Sequence, residues 1–358
     1  MNKLTKIGVS ALCGSLASVA AHAGEIGVSG GATATWVKDT AKDVGNPLGM
    51  ATNLTFKGSG ELDNGSTFSV SVAHDDQNTY SSSNITFTTP SFGVLKLSMA
   101  EGGNGIDAYD DKAPTAWEEV TGTGVGIGSD QVSGVGLSTS LQWASPKVMG
   151  TTLKLAWAPR NDGSQNNDKS SSGAANSGNR SMEGKDIVLD INPSWDLFGF
   201  NLFAGYSITD DVMSGDEGGA AESTDHEEGT AGLILTIGPI KAGFQRTAEF
   251  TGTRVAGGVD YYANTMWGIS FNVNDSLSLS YGDYESSKGY HGKHTNYAGG
   301  TWDTSRDEDH LSANSWQVAY TMGGASLKYA NTEVDNASYV SGTANDSDGH
   351  TLALSLAF

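Results

Sequence analysis

The chain has 358 residues, 41 of them Asp or Glu against 20 Lys or Arg, a formal net charge of −21. That balance excludes nucleic acid as a partner, because holding phosphate requires clustered cations. With 37% hydrophobic residues and 48 glycines the sequence is poor in core-builders for a soluble globule of this length. Either part of it is disordered or its apolar residues face something other than a protein core.

The N-terminus reads as a processing signal, residues 1–23. Lys3 and Lys6 form a basic start, an apolar and small-residue run follows from Ile7 to Ala20, and Ala21-His22-Ala23 is a small-x-small cleavage pattern. Export follows, with a mature chain from Gly24 to Phe358. The single cysteine, Cys13, lies in the removed segment, so the mature protein must hold together without disulfides. Past the signal, no run approaches the ~20 apolar residues of a membrane helix.

From Ile26 onward the chain is built of short segments with period-two alternation and almost no helical pattern. Ile26, Val28, Ala32, Ala34 and Trp36 share one parity; Leu48, Met50, Leu54 and Phe56 share the next. Phe68, Val70 and Val72 follow the turn "DNGS" at 63–66, which predicts a hairpin between the second and third segments. The same cycle then repeats: two alternating strands, a tight turn, and a long polar connection. Pairs fall near 84–89 and 93–99, 135–144 and 151–158, 185–192 and 200–208, 230–238 and 240–246, 264–273 and 277–284, and 314–322 and 325–332. "TLALSLAF" at 351–358 closes the chain and predicts pairing with the first strand. Sixteen strands, with short turns at one end and long loops at the other, are the signature of an all-β transmembrane antiparallel barrel. Closure satisfies every backbone group, and a greasy outside with a wet inside explains a chain that alternates well yet averages polar.

At this point the sequence resembles the general diffusion porins of Gram-negative outer membranes, the sixteen-stranded trimeric type. The resemblance is carried by "QWASPKVMGTTLKLAW" at 142–157, "SFGVLKL" at 91–97 and the terminal Phe358, together with the signal and the strand count. It implies a water-filled channel in the outer membrane for passive diffusion of ions and small hydrophilic solutes. It further implies a homotrimer, a third long loop folded into the pore, and a last strand read by the outer-membrane assembly machinery. That last strand presents Leu352, Leu354, Leu356 and Phe358 to outer-membrane lipid.

The long connection after the fifth strand, from Ala100 to Val135, stands where the family places its constriction loop. It carries Glu101, Asp107, Asp110, Asp111, Glu118 and Glu119 against a single Lys112. Carboxylates in a narrow lumen lower the energy of a passing cation and raise that of an anion, so cation preference is expected. Parity supplies the opposite charge. With Leu54, Phe56, Leu95, Leu97, Leu153, Leu155, Phe244 and Leu327 facing lipid, Lys57, Lys96, Lys154, Lys241 and Lys328 point into the lumen. The reverse register would cost roughly 2–4 kcal/mol per lysine at mid-membrane. Four of these, at 96, 154, 241 and 328, follow short turns and predict a basic collar near the periplasmic mouth, or else counter-charges that snorkel. Trp36, Trp143, Trp157, Tyr206, Trp267, Trp316, Tyr320 and Phe358 share the lipid-facing parity, as interfacial girdles require.

Two acidic loops, 210–228 and 291–310, lack the ligand spacing of a cation site, so no metal and no cofactor is assigned. The glycines of "GTGVGIGS" at 121–128 lack the strand-to-helix setting of a phosphate site. Catalysis is not expected, since no compact polar triad can be assembled from the scattered histidines. The rival readings are a surface barrel acting as adhesin or structural protein, with its lumen plugged, and an outer-membrane hydrolase with polar groups at the rim.

Overall fold

The computed structural model describes residues 26–40, 45–76, 81–161, 182–193, 198–210, 225–252, 258–290 and 308–358. The signal at 1–23 and most of the two acidic loops lie outside the described residues.

Sixteen antiparallel strands form a closed barrel in chain order. They are β1 (Gly27–Asp39), β2 (Leu48–Glu61), β3 (Thr67–Asp75), β4 (Ser82–Thr89), β5 (Gly93–Met99), β6 (Ser140–Ala144), β7 (Thr151–Ala158) and β8 (Gly184–Ile191). The second half comprises β9 (Gly199–Thr209), β10 (His226–Ile237), β11 (Ile240–Phe250), β12 (Val259–Asn272), β13 (Leu277–Tyr290), β14 (Asp309–Met322), β15 (Ala325–Asp335) and β16 (Ser347–Ala357). Short turns such as 238–239 and 323–324 alternate with long connections such as 100–139 and 159–183, so all long loops emerge at one end. No described helix is long and apolar enough to cross a membrane, which leaves crossing to the strands.

Local chemistry sets the turns. Between β2 and β3, Asn64 Oδ1 accepts the Ser66 N–H at 3.0 Å, and Gly65 takes the left-handed φ of +79° that an L side chain resists. The seam joins the two chain ends: Ala34 pairs with Leu354 and Trp36 with Leu352. Beyond the ladder, Phe358 N donates to Gly30 O at 3.0 Å and Gly30 N to Phe358 O at 3.1 Å. The final aromatic is therefore tied by its backbone to β1.

Register fixes which side chains face out. The row Phe244, Trp267 and the row Ile269, Tyr281, Trp316 run around the wall at matched levels, all exposed on the outer face. Leu352, Leu354 and Leu356 are 41%, 44% and 49% exposed, while the intervening Thr351 and Ala353 are buried at 2% and 0%. An apolar outside and a buried inside invert the plan of a soluble protein and suit a hydrocarbon surrounding.

Two boundaries differ from the sequence reading. Strand β6 starts at Ser140, not 135: Val135 is fully buried under the wall and Leu137 is 57% exposed, so their alternation imitates a strand without pairing. Strands β10 to β13 run further than their apolar alternation, to His226 at one edge and Tyr290 at another. Those extensions carry few aliphatic residues, so the apolar alternation lapses there.

Candidate functional site

The connection 100–139 turns inward and is fastened, backbone first, to inward-facing side chains of the wall. Asp186 on β8 clips its outgoing and returning limbs together, Oδ2 accepting from Ile106 N at 2.9 Å and from Val135 N at 3.2 Å. Gln245 on β11 accepts from Lys112 N at 2.6 Å and donates to Tyr109 O at 2.7 Å and Asp110 O at 3.0 Å. Ser280 on β13 accepts from Ala116 N at 2.8 Å. Gln317 on β14 accepts from Trp117 N and Glu118 N at 3.1 and 3.2 Å and donates to Glu118 O at 2.6 Å. Thr123 meets Thr332 on β15 at 2.8 Å. On the way back, Asn264 on β12 donates to Asp130 O at 2.8 Å, and Glu228 on β10 accepts from Ser133 N and Gly134 N at 2.8 and 2.6 Å.

Such fastening satisfies a loop that has no sheet to pair with, since unpaired buried N–H groups are costly. Close approach is also required. Pro114 lies so near the wall that a Cβ on Gly268 would sit 2.5 Å from Pro114 O. Apolar loop residues complete the docking: Val120, Val125 and Ile127 pack with Met266, Tyr284, Leu311 and Val334, and Ile106 and Tyr109 with Val188 and Phe203.

The loop therefore packs on the inner wall from β5 round to β16 and touches β1 to β4 at Val37 and Asn84, leaving most of that inner face open. Inward residues such as Val188, Gln245, Ser315, Gln317 and Thr332 are at most 1% exposed. No inward residue of β1 to β4 is buried: Asn53, Lys57 and Thr67 are exposed, and Thr33, Thr55, Ser71 and Asn84 half-buried. A cavity of ≈ 710 Å³ opens along this wall, lined among others by Ser29, Thr33, Asn53, Thr55, Asp75 and Lys328.

The acids of the loop divide into two groups. Glu101 is tied to Lys96 by a 2.7 Å ion pair and accepts from Asn84 at 3.1 Å. Asp107, Asp110, Asp111, Glu118 and Glu119 form one electrostatically linked set. Burial raises Asp107 against the pull of the Gly103 and Asn104 N–H groups. Burial is also the main cause of the upward shifts of Asp110 and Glu118. Asp111 is pushed up to about 8, first by burial and then by Asp110 and Glu119. Five carboxyls thus crowd one strip whose only cation in sequence is Lys112, held 5.9 Å over the Tyr109 ring.

The inward lysines do not form one ring. Lys96 is engaged by Glu101; Lys154 donates to Tyr109 OH at 2.5 Å, lies 4.7 Å over its ring and 3.9 Å from Asp190. Lys328 sits 5.6 Å over the Trp117 ring and donates to Ser355 at 3.2 Å. Lys57 and Lys241 are exposed on the inward parity of β2 and β11. The buried anchors Asp186, Glu228, Gln245 and Gln317 escaped the sequence reading; polar residues on the inward parity of otherwise apolar strands were their signal. On the outer face Trp157, Tyr206, Trp267 and Trp316 are 40–44% exposed, and Trp143 Nε1 donates to Phe92 O at 2.8 Å.

No protein-family model matches the chain, and no curated protein matches it in sequence. Solved structures match the barrel. In-vitro-folded OmpT, an outer membrane protein of Vibrio cholerae, gives a TM-score of 0.63 at 9% identity, over 93% of this chain and 97% of that one. Salmonella typhi OmpF, in complex with daunomycin, gives 0.61 at 15% identity over 93% and 97%. A mutant of the Rh. blastica porin gives 0.54 at 14% identity over 93% and 100%. At such identities the likeness establishes the fold, an outer-membrane-type β-barrel. It also corrects one expectation from the sequence. OmpT, described as an outer membrane protein, stands beside the porins among the neighbours; likeness of this kind shows the fold alone, and one fold can host several activities, so the exclusion of catalysis does not stand.

Proposed function

We propose that the chain is an outer-membrane porin, a water-filled channel through which ions and small hydrophilic solutes diffuse with preference for cations. The observation that carries this reading is the asymmetry of the lumen. A loop bearing five linked carboxyls lines one side, while β1 to β4 opposite remain largely open and dressed with Ser, Thr and Asn, Lys57 being the inward lysine there. Hydroxyls and amides accommodate water and hydrated ions alike, and carboxyls that outnumber the cations beside them, Lys112 and Lys328, favour cations in a narrow passage. Lys96, Lys154 and Lys328 are each held by a loop or wall partner, which reduces their reach into the passage.

The proposal includes the segment 1–23 as a cleaved export signal, the bacterial outer membrane as the location, and Leu352, Leu354, Leu356 and Phe358 as an address for the assembly machinery. A homotrimer is part of it: OmpT of Vibrio cholerae is described in a trimer form, at a TM-score of 0.61 to this chain. Conductance in a planar bilayer is the test. Open, ohmic current with a cation-selective reversal potential in a salt gradient is the expected result; a folded but silent barrel would favour the plugged adhesin-like reading instead.

A further inference from the structure

One polar cluster takes part neither in the passage nor in the acidic strip. His226 and Glu228 are alternate residues of β10 and so share its inward face, and register sets Glu228 directly opposite Glu249 of β11. Two carboxylates facing each other across a strand pair are mutually destabilising. A third acid, Asp130 of the returning loop, is electrostatically coupled to Glu249 and His226. Among the described residues the salt bridges to Glu228 and Glu249 come from His226 alone, at 3.9 and 3.0 Å. A single imidazole thus stands among three acids.

The geometry points to a lumen-side site for a first-row divalent metal ion held by His226 Nε2, Glu228 and Glu249. One donor atom from each of the three lies within 4.8 Å of the others. Metal–nitrogen and metal–oxygen bonds of ~2.0–2.2 Å bring donors to within about 4.4 Å of each other, so contraction by a few tenths of an ångström closes the set. A second observation concerns the imidazole. Its Nε2 atom is buried, with Glu249 Oε1 at 3.0 Å and Glu228 Oε1 at 3.9 Å as its acidic neighbours. Ring nitrogen and both carboxylates thus face one another at separations that a bridging ion can close.

The donor set selects the ion. One imidazole with two carboxylates suits Zn²⁺, Co²⁺ or Ni²⁺; Ca²⁺ and Mg²⁺ call for oxygen ligands throughout. Three protein ligands leave a further position for water or Asp130. The cluster lies at the long-loop end of β10 and β11, away from the two-residue turn at 238–239. Glu228 also holds the N–H groups of Ser133 and Gly134, so the ion would be linked through one carboxylate to the returning limb of the loop. This site is independent of whether the barrel conducts.

Co²⁺ titration of the full chain folded in detergent, read by visible absorption and competed by Zn²⁺, is the test. One equivalent of Co²⁺ should give ligand-field bands that Zn²⁺ abolishes. Both His226→Ala and Glu249→Gln should weaken binding at least tenfold, whereas His310→Ala and His350→Ala should leave it unchanged. Glu249→Gln relieves the facing carboxylates and so keeps the barrel intact, which far-UV circular dichroism verifies. Absence of the bands in the unsubstituted chain, or their survival in both His226→Ala and Glu249→Gln, would overturn the site.

Discussion

Protonation of Asp111 should set the ion selectivity of the proposed channel near neutral pH. With its carboxyl pushed up to about 8 by burial and by Asp110 and Glu119, Asp111 is mostly neutral at pH 6. About 1% is ionised there and about 90% at pH 9, so the acidic strip gains close to one elementary charge across that window. A unit charge about 4 Å from a passing ion is worth roughly 1 kcal/mol in water, and more where protein walls lower the dielectric. That corresponds to about a fivefold rise in cation entry, with a matching fall for anions. Reversal potentials in a potassium chloride gradient from pH 6 to pH 9 read this directly. Cation selectivity should climb through pH 8 in the unsubstituted channel and stay flat in Asp111→Asn. A flat profile in both would mean that the strip does not face the ion path. The same sign holds for stability: Asp111 binds its proton more tightly folded than unfolded, so its contribution is present below about pH 4 and is lost as pH rises through about 8.

Three further outcomes follow from the lumen and the seam. Gln317→Leu orphans the Trp117 and Glu118 N–H groups and the Glu118 carbonyl; at roughly 1–3 kcal/mol per stranded group, the loop should detach locally, giving larger and noisier single-channel current. Lys57→Gln removes the inward lysine of the open wall and should raise the cation-to-anion permeability ratio with single-channel stability unchanged. Deleting Phe358 severs both hydrogen bonds with Gly30, and membrane levels of the truncated chain should drop far more than the conductance of whatever inserts; normal levels by immunoblot would count against an assembly role.

The strand pattern was legible because the membrane imposes a strict period of two on residues such as Leu352, Leu354 and Leu356, with a penalty for any slip. The strand ends were less so. The apolar alternation of β13 lapses toward its end, and nothing in "ESSKGY" at 285–290 marks it as sheet. The acids of the 100–139 connection were equally plain as a composition, yet their separation into a paired Glu101 and a linked set of five was not. That division depends on where Lys96 lies relative to the fold of 100–139, a distance fixed by the wall and not by spacing in the chain.

By itself the sequence determined the architecture: sixteen alternating segments, short turns at one end, long loops at the other, and a last strand able to meet the first. Alternation is a local property, so the chain can carry it without reference to distant residues. Only the tertiary structure decided which half of the lumen is lined. Asp186, Glu228, Gln245, Ser280 and Gln317 are scattered over more than a hundred residues, and barrel closure alone brings them onto one inner surface where a single loop can satisfy them. The cluster of His226, Glu228 and Glu249 arises likewise from the β10–β11 register, which converts separate polar residues into converging donors.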